Sequence, residues 1–268
     1  MSLMMSSKGA RFVDREEAFR TDIIPARTST YCPVTNSEFV EMINRVSDEH
    51  GLSLENEELG LAGKDLQMFG TYTVKGKDFF DGKINLVLGI ANSYDKTLPA
   101  KVCWGQSVMV CSNLSFYAYG DEKIKSFIRH KHTNHILNTD GLYYRLNKAM
   151  EQVDHFCREQ ERFCEKLKER NVTREEVYST IIRSARANVI NKTDILAVAD
   201  TWDFQTENYP ENEDQYENWY PDFRTRDCYS LFNCYTELNK EKIKRNMVAA
   251  SLNTLKLTEF FNKEFVMN

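Results

Sequence analysis

Two apolar runs between residues 84 and 113 constrain the fold more than any other part of the chain. Each ends in a polar cluster: Ile84-Asn-Leu-Val-Leu-Gly-Ile-Ala-Asn-Ser-Tyr-Asp95, then Gln106-Ser-Val-Met-Val-Cys-Ser-Asn113. The stretch Ile84 to Ile90 does not alternate apolar with polar residues, which predicts a central strand covered on both faces, with helices supplying one cover. Leu66-Gln-Met-Phe-Gly-Thr-Tyr-Thr-Val74 is similarly rich in β-branched, aromatic and aliphatic residues. Lys75-Gly-Lys-Asp78 and Asp81-Gly-Lys83 read as turn signals, and the short connections favour antiparallel pairing.

Around these strands the pattern is helical. Phe39, Met42, Ile43 and Val46 recur at helical spacing behind Ser37, with Gly51 just past the end. After Gly120 the chain reads as helix over 121–138 and again over 140–170. Thr173-Arg-Glu-Glu176 fits a capping box, so a new helix is expected to begin at Arg174. Residues 203–222 are acidic, aromatic and interrupted by Pro210 and Pro221, which predicts a long loop. Helix resumes near Thr225, where Leu252, Leu255, Leu257 and Phe260 suggest an apolar face. The expected fold is α+β, an antiparallel sheet from the N-terminal half packed against helices from the C-terminal half. Residues 1–36, sparse in apolar side chains and interrupted by Pro25 and Pro33, read as an arm that packs on a neighbouring subunit; 37–268 read as one α+β domain.

Lys and Arg total 35 against 40 Asp and Glu, a net charge of −5, so a nucleic-acid contact would need a local basic patch. No apolar run approaches the ~20 residues of a membrane span, and the first residues lack the apolar core of a secretory signal. A cytoplasmic protein without membrane contact is therefore expected. The seven cysteines include no C-x-x-C pair, which favours free thiols over a zinc ribbon or a disulfide framework. Cys157 and Cys164 share a helix face and read as small core residues.

Several groups could carry chemistry. Arg129-His-Lys-His-Thr-Asn-His135 holds three of the five histidines. On a helix His132 and His135 share a face, making them the metal-ligand candidates, against a bland reading as a solvated basic cluster. Asn92-Ser-Tyr-Asp95 is a polar turn at the end of the central strand, as much a structural Asx turn as a ligand loop. Cys111-Ser-Asn113 lacks the surroundings of an activated nucleophile. Asp78, Asp81 and Asp95 could gather a magnesium ion, although no spacing demands it. Phosphate-loop, dinucleotide, zincin and EF-hand motifs are absent, and no cofactor is expected. Lys123, Lys125, Arg129 and Lys131 form a basic stretch that could track phosphates, with Phe127, Tyr143 and Tyr144 for base stacking. Trp202, Tyr209, Tyr216, Trp219 and Tyr220, among acidic residues, fit a protein-binding surface.

Three elements carry a resemblance: the Asn92-Ser93-x-Asp95 turn, the Val110-Cys-Ser-Asn113 strand end, and Asn233, Thr236 and Glu237 in a helix. Together they resemble the phage- and plasmid-like family carrying domain of unknown function 932, over roughly residues 37–266. The resemblance implies a mobile-element origin and draws attention to His132 and Thr133, which match an Arg-His-Thr-like element. Tyr94 stands where that family has histidine, so no base at that position could operate here. The expected function is a non-enzymatic phage- or plasmid-encoded binding protein that acts on host or defence proteins or self-assembles as a homo-oligomer. Single-stranded nucleic-acid binding or annealing is the second reading, and a metal-dependent hydrolase the third.

Overall fold

In the computed structural model the described residues are 10–79, 84–97, 99–108, 113–116, 127–130, 138–207, 226–245 and 247–267. The strands are β1 (Ala10–Val13), β2 (Leu54–Ala62), β3 (Gln67–Phe79), β4 (Ile84–Ser93), β5 (Ala100–Val108), β6 (Asn113–Phe116) and β7 (Phe127–His130). They form one seven-stranded antiparallel sheet in chain order, except that β6 and β7 both pair with β5, one after the other along the same edge. The helices are α1 (Arg15–Ala18), α2 (Asn36–Glu49), α3 (Asn138–Met150), α4 (Val153–Glu169), α5 (Arg174–Arg186), α6 (Ile195–Glu207), α7 (Cys228–Arg245) and α8 (Met247–Phe261). The α+β class and the division between sheet-rich and helix-rich halves agree with the sequence reading. Among the described residues, no helix is long and apolar enough to cross a membrane.

β4 is the interior strand that its apolar run predicts, for Leu86, Val87 and Leu88 are all fully buried although they point to alternate faces. The face bearing Leu86, Leu88, Ile90, Tyr72, Val102 and Trp104 joins the same core as Phe39, Val40 and Ile43 of α2 and Leu142 and Leu146 of α3. Gly70 sits in this layer because a Cβ there would meet Ile90 and Leu59 at 2.9 Å. The helical half closes on rings: Phe163 of α4, Phe232 and Tyr235 of α7 and Phe261 of α8 pack edge to face, with centroids 5.2–5.6 Å apart.

Local signals explain the helix ends. α5 starts at Arg174 behind the predicted Thr173–Glu176 capping box. α2 begins earlier than Ser37 implied, because Thr35 and Glu38 form the box there. It ends in a Schellman closure, the Leu52 and Gly51 N–H groups donating to Ser47 and Asp48, with Gly51 at φ +68°.

Five expectations need correction. Residues 10–36 pack on this same chain: β1 pairs with β2, and Ala18 and Val34 enter the core. Their few apolar residues are supplemented by polar anchors, notably Arg15, which grips Glu57 with two hydrogen bonds of 2.6 and 2.8 Å. Residues 127–130, read as helix, are a strand, because pairing with β5 outweighs local propensity. The stretch 140–170 is two helices, α3 and α4, separated at residues 151–152. Finally, α6 runs to Glu207, and Lys75-Gly-Lys-Asp78 lies inside β3 as an irregularity, with Gly76 at φ +66°, rather than ending it.

The described cysteines Cys32, Cys103, Cys157, Cys164, Cys228 and Cys234 are free thiols. Burial pushes the Cys157 thiol up to about 11, Cys228 to about 12 and Cys234 further still. Labelling of the native protein at neutral pH is expected to reach half-buried Cys32 and to spare Cys164, Cys228 and Cys234 until unfolding, with no disulfide found by mass spectrometry. Modification of Cys234 in the folded state, or a Cys157–Cys164 bridge, would contradict this packing.

Candidate functional site

The turn after β4 is a buried polar junction. Asn92 is fully buried, and its amide donates to the Val34 carbonyl at 3.0 Å and to Asn36 Oδ1 at 2.9 Å. Asn36, the first residue of α2, passes the connection on, its amide donating to the Ala18 carbonyl at 2.8 Å and its backbone N–H to Tyr94 Oη at 2.8 Å. Asn92 Oδ1 is buried with no hydrogen-bond partner. Burial, only partly offset by the Asn36 N–H, pushes the Tyr94 phenol up to about 12, so it stays neutral. Four segments meet here: the end of α1, residue 34, the start of α2 and the end of β4.

Asp95 turns outward from that junction. It accepts from the Thr97 N–H at 2.9 Å, from the Thr97 hydroxyl and from Gln67 Nε2 at 2.8 Å. Partial burial pushes its carboxyl up, but these bonds and one from Ser93 outweigh it and hold the group below the usual carboxylate range. Ser93 is itself buried. The arrangement orders a turn and consumes the acceptor capacity a cation would need. Asn233 and Thr236 of α7 are buried too, the Thr236 hydroxyl donating to the Asn233 carbonyl at 2.9 Å. The polar residues that make the chain recognisable thus hold the fold together.

A second arrangement lies at the β5–β7 corner. The register pairs Lys101 directly with Arg129, so two cationic residues occupy the same face of adjacent strands. Lys101 is half-buried. Sequence reasoning found Arg129 but passed over Lys101. The signal was the alternation in Ala100-Lys-Val-Cys-Trp104, where a lysine between two core residues marks the opposite face.

The other candidates divide clearly. Trp202 of α6 is buried and cannot serve as an exposed recognition ring, because the helix carries it into the core. Tyr209, Tyr216, Trp219 and Tyr220 lie outside the described residues, as do Lys123, Lys125, Lys131, Cys111, His132 and His135. His130 ends β7 and Asn113 begins β6. His130 thus stands on a strand and not on the helix that this basic stretch was read as. Among the described residues, no three His, Cys, Asp or Glu side chains gather as a metal site. Tyr143 is engaged by Glu49 and by Arg45, which lies 4.7 Å over its ring, whereas Tyr144 is exposed.

No curated protein and no solved structure matches the chain. A family model for a domain of unknown function, DUF932, matches residues 24–254, and the chain belongs to that family.

Proposed function

We propose that this chain is a non-enzymatic single-stranded nucleic-acid-binding protein that takes hold of the phosphate backbone at the β5–β7 corner. The observation that carries the reading is the register pair Lys101 and Arg129. Two cationic residues in register on neighbouring strands concentrate positive sequence charge at one place in the sheet, and local positive charge is what a phosphate backbone is drawn to. The net charge of −5 confines such binding to a local patch, which β7 supplies by bringing part of the basic stretch 123–132 into the sheet. The features that favoured a protein partner carry less weight: residues 10–36 pack within the chain and Trp202 is buried.

Fluorescence anisotropy with a labelled oligothymidylate tests this. Binding is expected at low salt and should weaken as a power of salt concentration. Lys101→Glu and Arg129→Glu should each lower affinity about tenfold or more and reduce the salt slope by about 1. Lys166→Glu, at an exposed position of α4, should bind as wild type does. No binding at low salt, or wild-type affinity in both corner variants with thermal melts unchanged, would overturn the proposal.

A further inference from the structure

α5 turns Val177, Thr180, Ile181, Ser184 and Ala185 into the interior. Its opposite side carries Glu175, Ser179, Ile182 and Arg186, all exposed, Ile182 at 42%. The steps between them alternate four, three and four residues, the interval of a coiled-coil seam, and the four positions fall within about 60° of one another around the helix. Neighbouring arginines are already engaged, Arg174 by Asp203 at 3.5 Å and Arg183 by Glu264 at 3.1 Å. Glu175 and Arg186, by contrast, make no ion pair among the described residues. The helix macrodipole alone would favour an acid near the start and a base near the end. It gives no reason for a large apolar side chain left in water between them.

We infer that this stripe is the contact between two copies of the chain, joined about a two-fold axis with their α5 helices antiparallel. In an antiparallel seam opposite ends share a layer, so Glu175 of one copy meets Arg186 of the other, and the symmetry makes that pair twice. The axis passes midway between Ser179 and Ile182, where the small Ser179 of each copy leaves room for the Ile182 that faces it. Two charges about 16 Å apart on one helix, unpaired in the monomer, are thereby paired in the dimer. A parallel arrangement would set Glu175 against Glu175 and Arg186 against Arg186. A uniformly acidic or basic partner would satisfy one end of the stripe and oppose the other, so a second copy is the occupant that answers both charges. The contact is separate from residues 10–36, which pack within their own chain. One helix from each copy makes a small interface, so a weak dimer is expected, with Kd about 10–500 μM.

Sedimentation equilibrium on the full chain, up to about 0.5 mM, tests this. The weight-average mass should rise with concentration toward twice that of the monomer. Ile182→Glu should weaken the dimer about tenfold or more. Glu175→Arg and Arg186→Glu each place like charges in both outer layers and should each weaken it about 3- to 10-fold. Mixing those two variants pairs Arg with Glu in both layers, so the mixture should associate more tightly than either alone. The mixture carries its own control for folding, and far-ultraviolet melts check Ile182→Glu. A wild-type protein that stays monomeric throughout would overturn the proposal. So would two charge variants that associate no better together than apart. Loss of the dimer in Leu196→Glu but not in Ile182→Glu would also overturn it, moving the contact to the 72% exposed Leu196 of α6.

Discussion

Trp104→Ala is expected to lower the unfolding free energy by about 3–5 kcal/mol. The indole is fully buried on β5, opposite Leu88 of β4, and belongs to the core shared by the sheet, α2 and α3. Its N–H donates to the Ala149 carbonyl at 3.2 Å, so one side chain supplies both packing and a polar link between sheet and helix. Alanine would remove both and leave a void that close-packed neighbours refill only in part. Since a typical domain is stable by about 5–15 kcal/mol, such a loss brings the chain close to unfolding. Trp104→Phe, which keeps most of the volume and loses the hydrogen bond, should cost about 1–3 kcal/mol. Urea denaturation with matched m-values measures both. A Trp104→Ala variant within 1 kcal/mol of wild type would be incompatible with the helix and sheet packing described.

An effect of similar size is expected at Asn92, with a pH dependence of its own. Asn92→Asp keeps the shape but exchanges two donated hydrogen bonds for an acceptor group aimed at the Val34 carbonyl and Asn36 Oδ1, both of which are acceptors. An ionised carboxylate there would be buried and uncompensated, so the loss at pH 7 should be about 3–5 kcal/mol. Folding would raise this carboxyl's pKa above its unfolded value of about 3.9. The penalty is therefore full above the folded pKa and shrinks as pH falls through it, when the protonated acid regains one donor. Glu57 and Asp95 work in the opposite sense. Burial pushes Glu57 up, but hydrogen bonds from Arg15 and Tyr72 outweigh it, and both carboxyls end below the usual range. Their stabilisation is present above the unfolded pKa and lost as pH falls through the folded one. Melts of wild type, Asn92→Asp and Asn92→Ala between pH 7.5 and 5 separate these effects. The Asp variant should gain on wild type as pH falls, while the Ala variant, about 2–3 kcal/mol less stable, should keep a constant gap. A pH-independent gap for Asn92→Asp would mean that the site is wetter than Asn92's burial implies.

What could be read from the sequence was whatever is settled locally. The non-alternating Ile84–Ile90 run marked a strand buried on both faces, and Thr173 with Glu176 marked the start of α5 to the residue. Thr35 with Glu38 offered the same signal for α2, but Ser37 lay nearer the apolar run and took its place. Distant partners decided the remainder. Phe127-Ile-Arg-His130 is charged enough to pass for a surface helix, and only pairing with β5 makes it a strand. Residues 10–36 lack the apolar content of a core segment and are fastened instead through Arg15, Asn36 and Asn92, bonds that no local window reveals. The motif residues themselves were found, but whether Asn92 bound a ligand or a neighbouring backbone depended on α1 and α2. The Lys101 and Arg129 pair exists only in the register.

The family match begins at residue 24, beyond β1. Cut at that point, the sheet would have β2 outermost, nine residues of strand with backbone donors and acceptors open along Leu59 to Ala62, an invitation to edge-to-edge aggregation. The four residues of β1 close that edge with a shorter one carrying Arg11, a charge that discourages further strand addition. The stretch recognisable by kinship thus leaves out the strand that closes this edge, a strand that adds Val13 to the margin of the core but whose larger effect is to cover the backbone of β2.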